Sequence, residues 1–201
     1  MMNNCLERIN RLGPLSGGIF SYADLFSLIG ASSPLQNKRV IKRLIKEKII
    51  FKIKRGFYTT KNPDLWILAC RMKKEAVISM DSVLAKNGLI GTIPEQSVSA
   101  VIPGGRREII ETPFGSIRYF SIKKELLFGF LPFPQGIRAA DNEKAYLDLL
   151  YFYTKGARFV IDPLQEVNLR KLDRQKIKLY LKRYKNPKFV RFVKGGLDAI
   201  V

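Results

Sequence analysis

The sequence predicts an α+β protein, and three observations carry that expectation. Near the N-terminus, two helical segments are joined by a short serine-rich link and followed by a basic hairpin. In the middle, short β-branched runs alternate with turn residues. Toward the C-terminus, apolar positions recur at helical spacing.

Composition supports a folded chain. Of 201 residues, 46% are hydrophobic, enough to build a core and too many for a disordered polymer. Lys and Arg number 36 against 17 Asp and Glu, a formal net charge of +19. Such a charge draws a protein to polyanions. Nucleic acid is the expected partner, with an anionic membrane surface as the rival. The excess is uneven: residues 1–62 carry +9, residues 63–150 only +1, and residues 151–201 again +9. The basic residues therefore predict two separate surfaces. The stretch Thr59 to Asp64 (TTKNPD) marks a boundary between domains at 1–62 and 63–201, since Asn-Pro favours a turn.

Several classes drop out. The chain has no histidine, which removes His-dependent acid–base catalysis, Ser-His-Asp triads and His-liganded zinc. Cys5 and Cys70 form no CxxC pair and read as free thiols of a reducing cytosol. No apolar run approaches the roughly 20 residues a membrane span needs. No long apolar stretch follows the first charges, so a cytoplasmic protein is expected. No catalytic residue, cofactor or metal is predicted, and the expectation is a non-enzyme.

Each element has a local reason. In residues 4–12, Leu6, Ile9 and Leu12 recur at helical spacing, and Gly13-Pro14 stops the helix. Ser21 caps a second helix, with Asp24 at the positive end of its dipole and Gly30 at its end. After Ala31-Ser32-Ser33, Ser33 caps a third helix with Pro34 in first position. Val40, Ile41, Leu44 and Ile45 form its apolar face. Gln36, Lys38, Arg39, Lys42, Arg43 and Lys46 cover the other. Two helices joined by a short glycine-containing turn make a helix-turn-helix. Strands over 49–53 and 57–60, turning at Lys54-Arg55-Gly56, then form a basic-tipped wing. The predicted DNA-contacting set is Ser32, Ser33, Gln36, Asn37, Lys38, Arg39, Lys42 and Arg43 from the helix region, with Lys52, Lys54 and Arg55 from the wing. Gln36 and Asn37 have the chemistry to read adenine edges.

Further along, Ala76 to Ile78 begins a strand, Ser79 is expected to cap a helix, and Gly88 ends it. Strands follow at 97–102, 108–112 and 116–122, with a short one over 127–131. Pro103-Gly104-Gly105-Arg106-Arg107 lacks the GxxxxGK[ST] pattern of a phosphate loop and reads as a turn. Asp141 or Asn142 caps a helix ending at Gly156; capping also explains Glu143 better than catalysis does. Residues 163–201 are expected to be helical, with Asp173 as a cap. There Lys176, Lys178, Lys182, Arg183 and Lys185 form the predicted second basic surface. The interleaved Tyr180, Tyr184, Phe189 and Phe192 read as core rather than as RNA-stacking rings.

Four segments together resemble the AbiEi family of antitoxins: Lys54 to Tyr58 (KRGFY), Ala76 to Leu89 (AVISMDSVLAKNGL), Glu143 to Tyr151 (EKAYLDLLY) and Leu181 to Pro187 (LKRYKNP). Their order spans nearly the whole chain. The second departs from the family pattern, carrying Val83 and Asn87 where SAL and a histidine are usual. The resemblance implies an N-terminal winged helix that represses its own operon at inverted repeats in double-stranded DNA, with a dimer on the DNA compatible with this. It also implies a C-terminal domain that counters a nucleotidyltransferase-like toxin without stable binding, as in type IV toxin–antitoxin pairs. The alternatives are an orphan winged-helix regulator without a toxin and an RNA-binding protein using the basic C-terminal helices.

Overall fold

The computed structural model describes residues 2–91 and 96–198. The fold is mixed α+β, and the described residues form two sheets, one of three strands and one of six.

The N-terminal portion follows its local signals closely. Helix α1 (Met2–Leu12) closes where the Gly13 amide donates to the Ile9 carbonyl at 2.7 Å. Strand β1 (Ile19–Ser21), which the sequence did not predict, leads directly into helix α2 (Tyr22–Ile29). Ser21 and Asp24 cap α2 reciprocally: the Asp24 amide donates to Ser21 Oγ at 3.0 Å, and the Ser21 amide to Asp24 Oδ2 at 2.7 Å. Gly30 ends α2 at φ +63°, a left-handed conformation that glycine adopts without strain. Helix α3 (Pro34–Lys46) begins with Ser33 Oγ accepting from the Gln36 amide. Strands β2 (Phe51–Lys54) and β3 (Phe57–Thr59) form the hairpin, and β1 joins it antiparallel in the order β1-β3-β2. The hairpin starts later than expected because the Ile49 and Ile50 amides still bond to the Leu44 carbonyl, closing α3. A small core of Ile9, Phe20, Leu25, Ile29, Ile41 and Leu44, with its neighbours, holds these pieces together.

Beyond Thr60, Asp64 caps helix α4 (Leu65–Met72) by accepting from the Trp66 and Ile67 amides. Periodicity did not reveal α4, because its run LWILAC is apolar on every side and Ile67 to Cys70 are all buried. The strands are β4 (Val77–Ile78), β5 (Ser97–Pro103), β6 (Glu108–Thr112), β7 (Gly115–Ile122), β8 (Phe130–Pro132) and β9 (Arg138–Ala140). They order as β6-β7-β5-β4-β9-β8, with β5–β7 and β4–β9 parallel and the other pairs antiparallel. Strand β5 is buried continuously from Val98 to Ile102, as a central strand covered on both faces must be. Edge strand β6 instead alternates half-buried and exposed residues. The remaining α-helices of the described residues are α5 (Asp81–Lys86), α6 (Asn142–Tyr153), α7 (Arg174–Leu181) and α8 (Pro187–Asp198).

Three expectations need correction here. Ser79 does not cap α5; its hydroxyl donates to Asp148 Oδ2 at 2.8 Å, and Met80 at φ +57° stands at the helix entry. The strand expected at 127–131 lies at Phe130–Pro132, because the Leu127 amide bonds back to the Lys124 carbonyl and Gly129 takes φ +67°, which breaks an extended run. Residues 163–168 are not helical. Asp162 Oδ1 accepts from the Leu164 amide, a local bond that competes with helix formation.

Helix α6 lies deep in the larger core, buried from Glu143 to Phe152 around its whole circumference. Its charged residues must therefore be paired. Lys144 Nζ donates to Asp148 Oδ1, one turn on, and approaches the Tyr184 hydroxyl at 3.4 Å. Both charged side chains are essentially inaccessible. Burial pushes the Asp148 carboxyl upward, while Lys144 and Ser79 pull it back.

The two cores touch. Ile19 packs into the larger one, the Arg71 guanidinium donates to the Ile19 carbonyl at 2.9 Å, and the Phe51 ring meets Phe114 edge-on at 5.0 Å.

Candidate nucleic-acid interface

Helix α3 has two chemically opposite faces. Asn37, Ile41 and Leu44, spaced by four and three residues, are buried. Lys38, Arg39, Lys42, Arg43 and Lys46 point outward and are exposed, as is Leu35 at 60%. Arg43 Nε reaches Glu47 Oε1 at 2.7 Å, with both side chains solvent-accessible. Such an i,i+4 pair is worth only about 0.3–0.5 kcal/mol, so Arg43 can leave it cheaply for another anion.

The start of α3 is occupied by capping. Gln36 Oε1 accepts from the Ser32 amide at 2.8 Å and from Ser32 Oγ at 2.7 Å, while Ser33 Oγ receives the Gln36 amide. Ser32 is exposed; Ser33 and Gln36 are half-buried.

Asn37, expected among the outward residues, is instead fully buried, and neither polar atom of its amide has a hydrogen-bond partner. The helical phase was the missed signal: Asn37 precedes Ile41 by four residues and Leu44 by seven. An unsatisfied buried amide costs about 1–3 kcal/mol. Asn37→Leu, which keeps the branched outline, should therefore raise stability by about 1 kcal/mol in thermal unfolding and leave nucleic-acid affinity unchanged. A loss of affinity without a loss of stability would put Asn37 back on the binding face.

The hairpin places its charges at an open tip. Lys52 and Arg55 are exposed, and Lys54 Nζ lies 5.5 Å above the Phe57 ring. Gly56 takes φ +83°, and nothing lies within 4 Å of where its side chain would be. The Gly56 carbonyl accepts from the Tyr22 amide at 3.0 Å, which pins the turn to the start of α2. On the inner side, Phe51 and Ile53 pack toward the larger core.

At the other basic end the predicted set divides. Lys176 pairs with Asp141 Oδ2 at 3.2 Å and Glu143 Oε2 at 2.9 Å. Burial would raise the Glu143 carboxyl, but the Asp173 amide and Lys176 outweigh it and hold it below its ordinary value. The Arg183 guanidinium lies 4.4 Å over the Phe128 ring. Lys178, Lys182 and Lys185 are exposed. Tyr184 and Phe189 are buried, with Tyr180 and Phe192 packed against the core, in line with the core reading of these aromatics.

The Pro103–Arg107 segment is a turn. The Gly104 amide donates to the Ile122 carbonyl, and Arg107 stacks 4.8 Å over Phe120. Among the described residues, no group of three His, Cys, Asp or Glu is placed to hold a metal ion. No described helix is long and apolar enough to cross a membrane.

Together these features define a mixed α+β protein with a basic helix-and-hairpin face at its N-terminal end. The chain resembles in fold the RV2827C protein from Mycobacterium tuberculosis, with a TM-score of 0.59 at 12% sequence identity, over 90% of this chain and 71% of that one. No protein-family model and no curated protein matches the sequence.

Proposed function

We propose that the protein is a DNA-binding transcriptional regulator of the winged helix-turn-helix type, with residues 1–62 as its reading unit. The observation that carries this reading is the outer face of α3: five exposed basic side chains with an exposed leucine near its N-terminus and a basic hairpin tip after its C-terminus. A helix of this kind fits the major groove, where arginine reads guanine and an apolar side chain can meet a thymine methyl. Lys52, Lys54 and Arg55 would track the backbone from the wing.

The proposal extends to an antitoxin role, on the resemblance of four segments to the AbiEi family. In that role the protein represses its own operon at inverted repeats and counters a nucleotidyltransferase-like toxin from the neighbouring gene. Its proposed place is the cytoplasm.

Fluorescence anisotropy with the duplex upstream of the gene, a scrambled duplex and a structured RNA tests the regulatory part. Tighter binding to the upstream duplex supports it; preference for the RNA overturns it. Growth rescue on co-expression with the neighbouring gene tests the antitoxin part.

The wing has its own signature. Each neutralised phosphate contributes about −0.9 to the slope of log K against log salt. Replacing Lys54 and Arg55 with alanine should flatten that slope by about 1.8, with equal losses on upstream and scrambled duplexes. An unchanged slope would mean the wing does not dock.

A further inference from the structure

Between α7 and α8 lies a groove of about 540 Å³. Lys178 and Lys182 enter it from α7 and its C-terminal cap, Lys194 enters it from α8, and Leu181, Tyr184 and Val190 also line it. No acidic side chain among the described residues lines it.

This clustering is not a generic basic surface. Lys176 and Arg183, on the same segment, are committed elsewhere, to two carboxylates and an aromatic ring. Lys178 and Lys182 stand one turn apart, where like charges destabilise a helix. The dipole at the end of α7 offsets that repulsion for these two. It gives no reason for Lys194, which sits outside the last turn of a different helix and brings a third positive charge to the same groove. The Tyr184 ring that lines the groove is packed on its other sides, against Phe189 at 4.9 Å, Tyr151 at 5.8 Å and Phe128 at 6.3 Å.

We propose that this groove binds an oligophosphate, a run of two or three linked phosphate groups. Its volume falls within the roughly 300–1,000 Å³ of small-molecule sites, more than a lone anion fills. Three lysines from two elements concentrate more charge than a single phosphate carries, and lysine binds phosphate as a compact point charge. A nucleic-acid strand spreads one charge over roughly each 3.4 Å of axis. A triphosphate gathers three or more into one short chain. That chain can come from inorganic tripolyphosphate or from a nucleoside triphosphate. The site is independent of the proposed DNA-reading face.

Isothermal titration calorimetry on the full chain, at matched ionic strength, tests this with sodium tripolyphosphate, ATP and sodium sulfate. One site is expected, at least tenfold tighter for tripolyphosphate than for sulfate. The triple variant Lys178→Glu/Lys182→Glu/Lys194→Glu should lose at least tenfold. A charge-matched control, Lys61→Glu/Lys74→Glu/Arg170→Glu, alters exposed residues outside the groove and should stay within twofold of the wild type. Tighter ATP binding assigns a nucleotide; equal affinity assigns the phosphate chain alone; both support the site. Equal losses in the two triple variants, or tripolyphosphate no tighter than sulfate, overturn it. Should the groove triple variant unfold, Lys194→Gln serves instead, with an expected loss of threefold or more; wild-type affinity in that variant overturns the site.

Discussion

Replacing Asp148 with alanine is expected to cost about 3–5 kcal/mol, because it strands the Lys144 ammonium in the larger core without its counter-charge. At roughly 2–4 °C per kcal/mol for a chain of this size, the melting temperature should fall by about 10 °C. The Ser79 hydroxyl loses its acceptor in the same step, and Lys144 keeps the Tyr184 oxygen at 3.4 Å and the faces of the Phe128 and Tyr184 rings at 4.9 and 5.9 Å, none of which carries a counter-charge. The double variant Lys144→Met/Asp148→Leu should behave differently. It removes both charges and their desolvation costs and keeps the volume filled, so it should fall far short of the single variant's loss, and neutral or improved stability is the expected result. Thermal unfolding of both proteins decides the matter. A harmless Asp148→Ala would mean that the pair holds nothing together. A double variant as unstable as the single one would mean that these charges specify how α6 packs, beyond the energy of their pairing.

The second large effect is expected on α3. Alanine at Lys38, Arg39 and Lys42 together should reduce affinity for the upstream duplex steeply and flatten the log–log salt slope by about 2.7, if each residue neutralises one phosphate. Arg39→Ala alone separates reading from charge. A bidentate contact to a base is worth about 1–3 kcal/mol of discrimination, so the upstream duplex should lose about 5- to 150-fold more affinity than the scrambled one. Equal losses on both would assign Arg39 to the backbone. Because these side chains are exposed and make no core contact, the melting temperature should stay within about 1 °C of the wild type. A substantial drop would mean that α3 is held by its outer face, contrary to the burial of Ile41 and Leu44.

The candidate site was legible in part. The exposed basic residues of α3 follow from helical phase, and the hairpin tip follows from Lys54-Arg55-Gly56. The burial of Asn37 is written in the same phase, since it precedes Ile41 by four residues and Leu44 by seven. The fate of Lys176 was not. Its carboxylate partners, Asp141 and Glu143, lie more than thirty residues away, at the start of α6. Lys194 was equally hidden, since nothing in its own helix shows that Lys178 and Lys182 face it across a groove.

What the sequence by itself determined are the features written within three or four residues of one another. Ser21 with Asp24, Ser33 with Pro34, Asp141 and Asp173 start helices at the places expected of them, because a cap bonds to backbone amides of its own first turn. The strands of 97–122 and their turns were legible for the same local reason. Only the tertiary structure decided the rest. It recruited β1 as a third strand beside the hairpin and turned the all-apolar α4 into a core helix. It took Ser79 from a capping role to Asp148, and it buried Lys144 and Asp148 against each other inside α6. Each of those outcomes depends on a partner distant in sequence or on burial from several sides, and neither leaves a mark in local spacing.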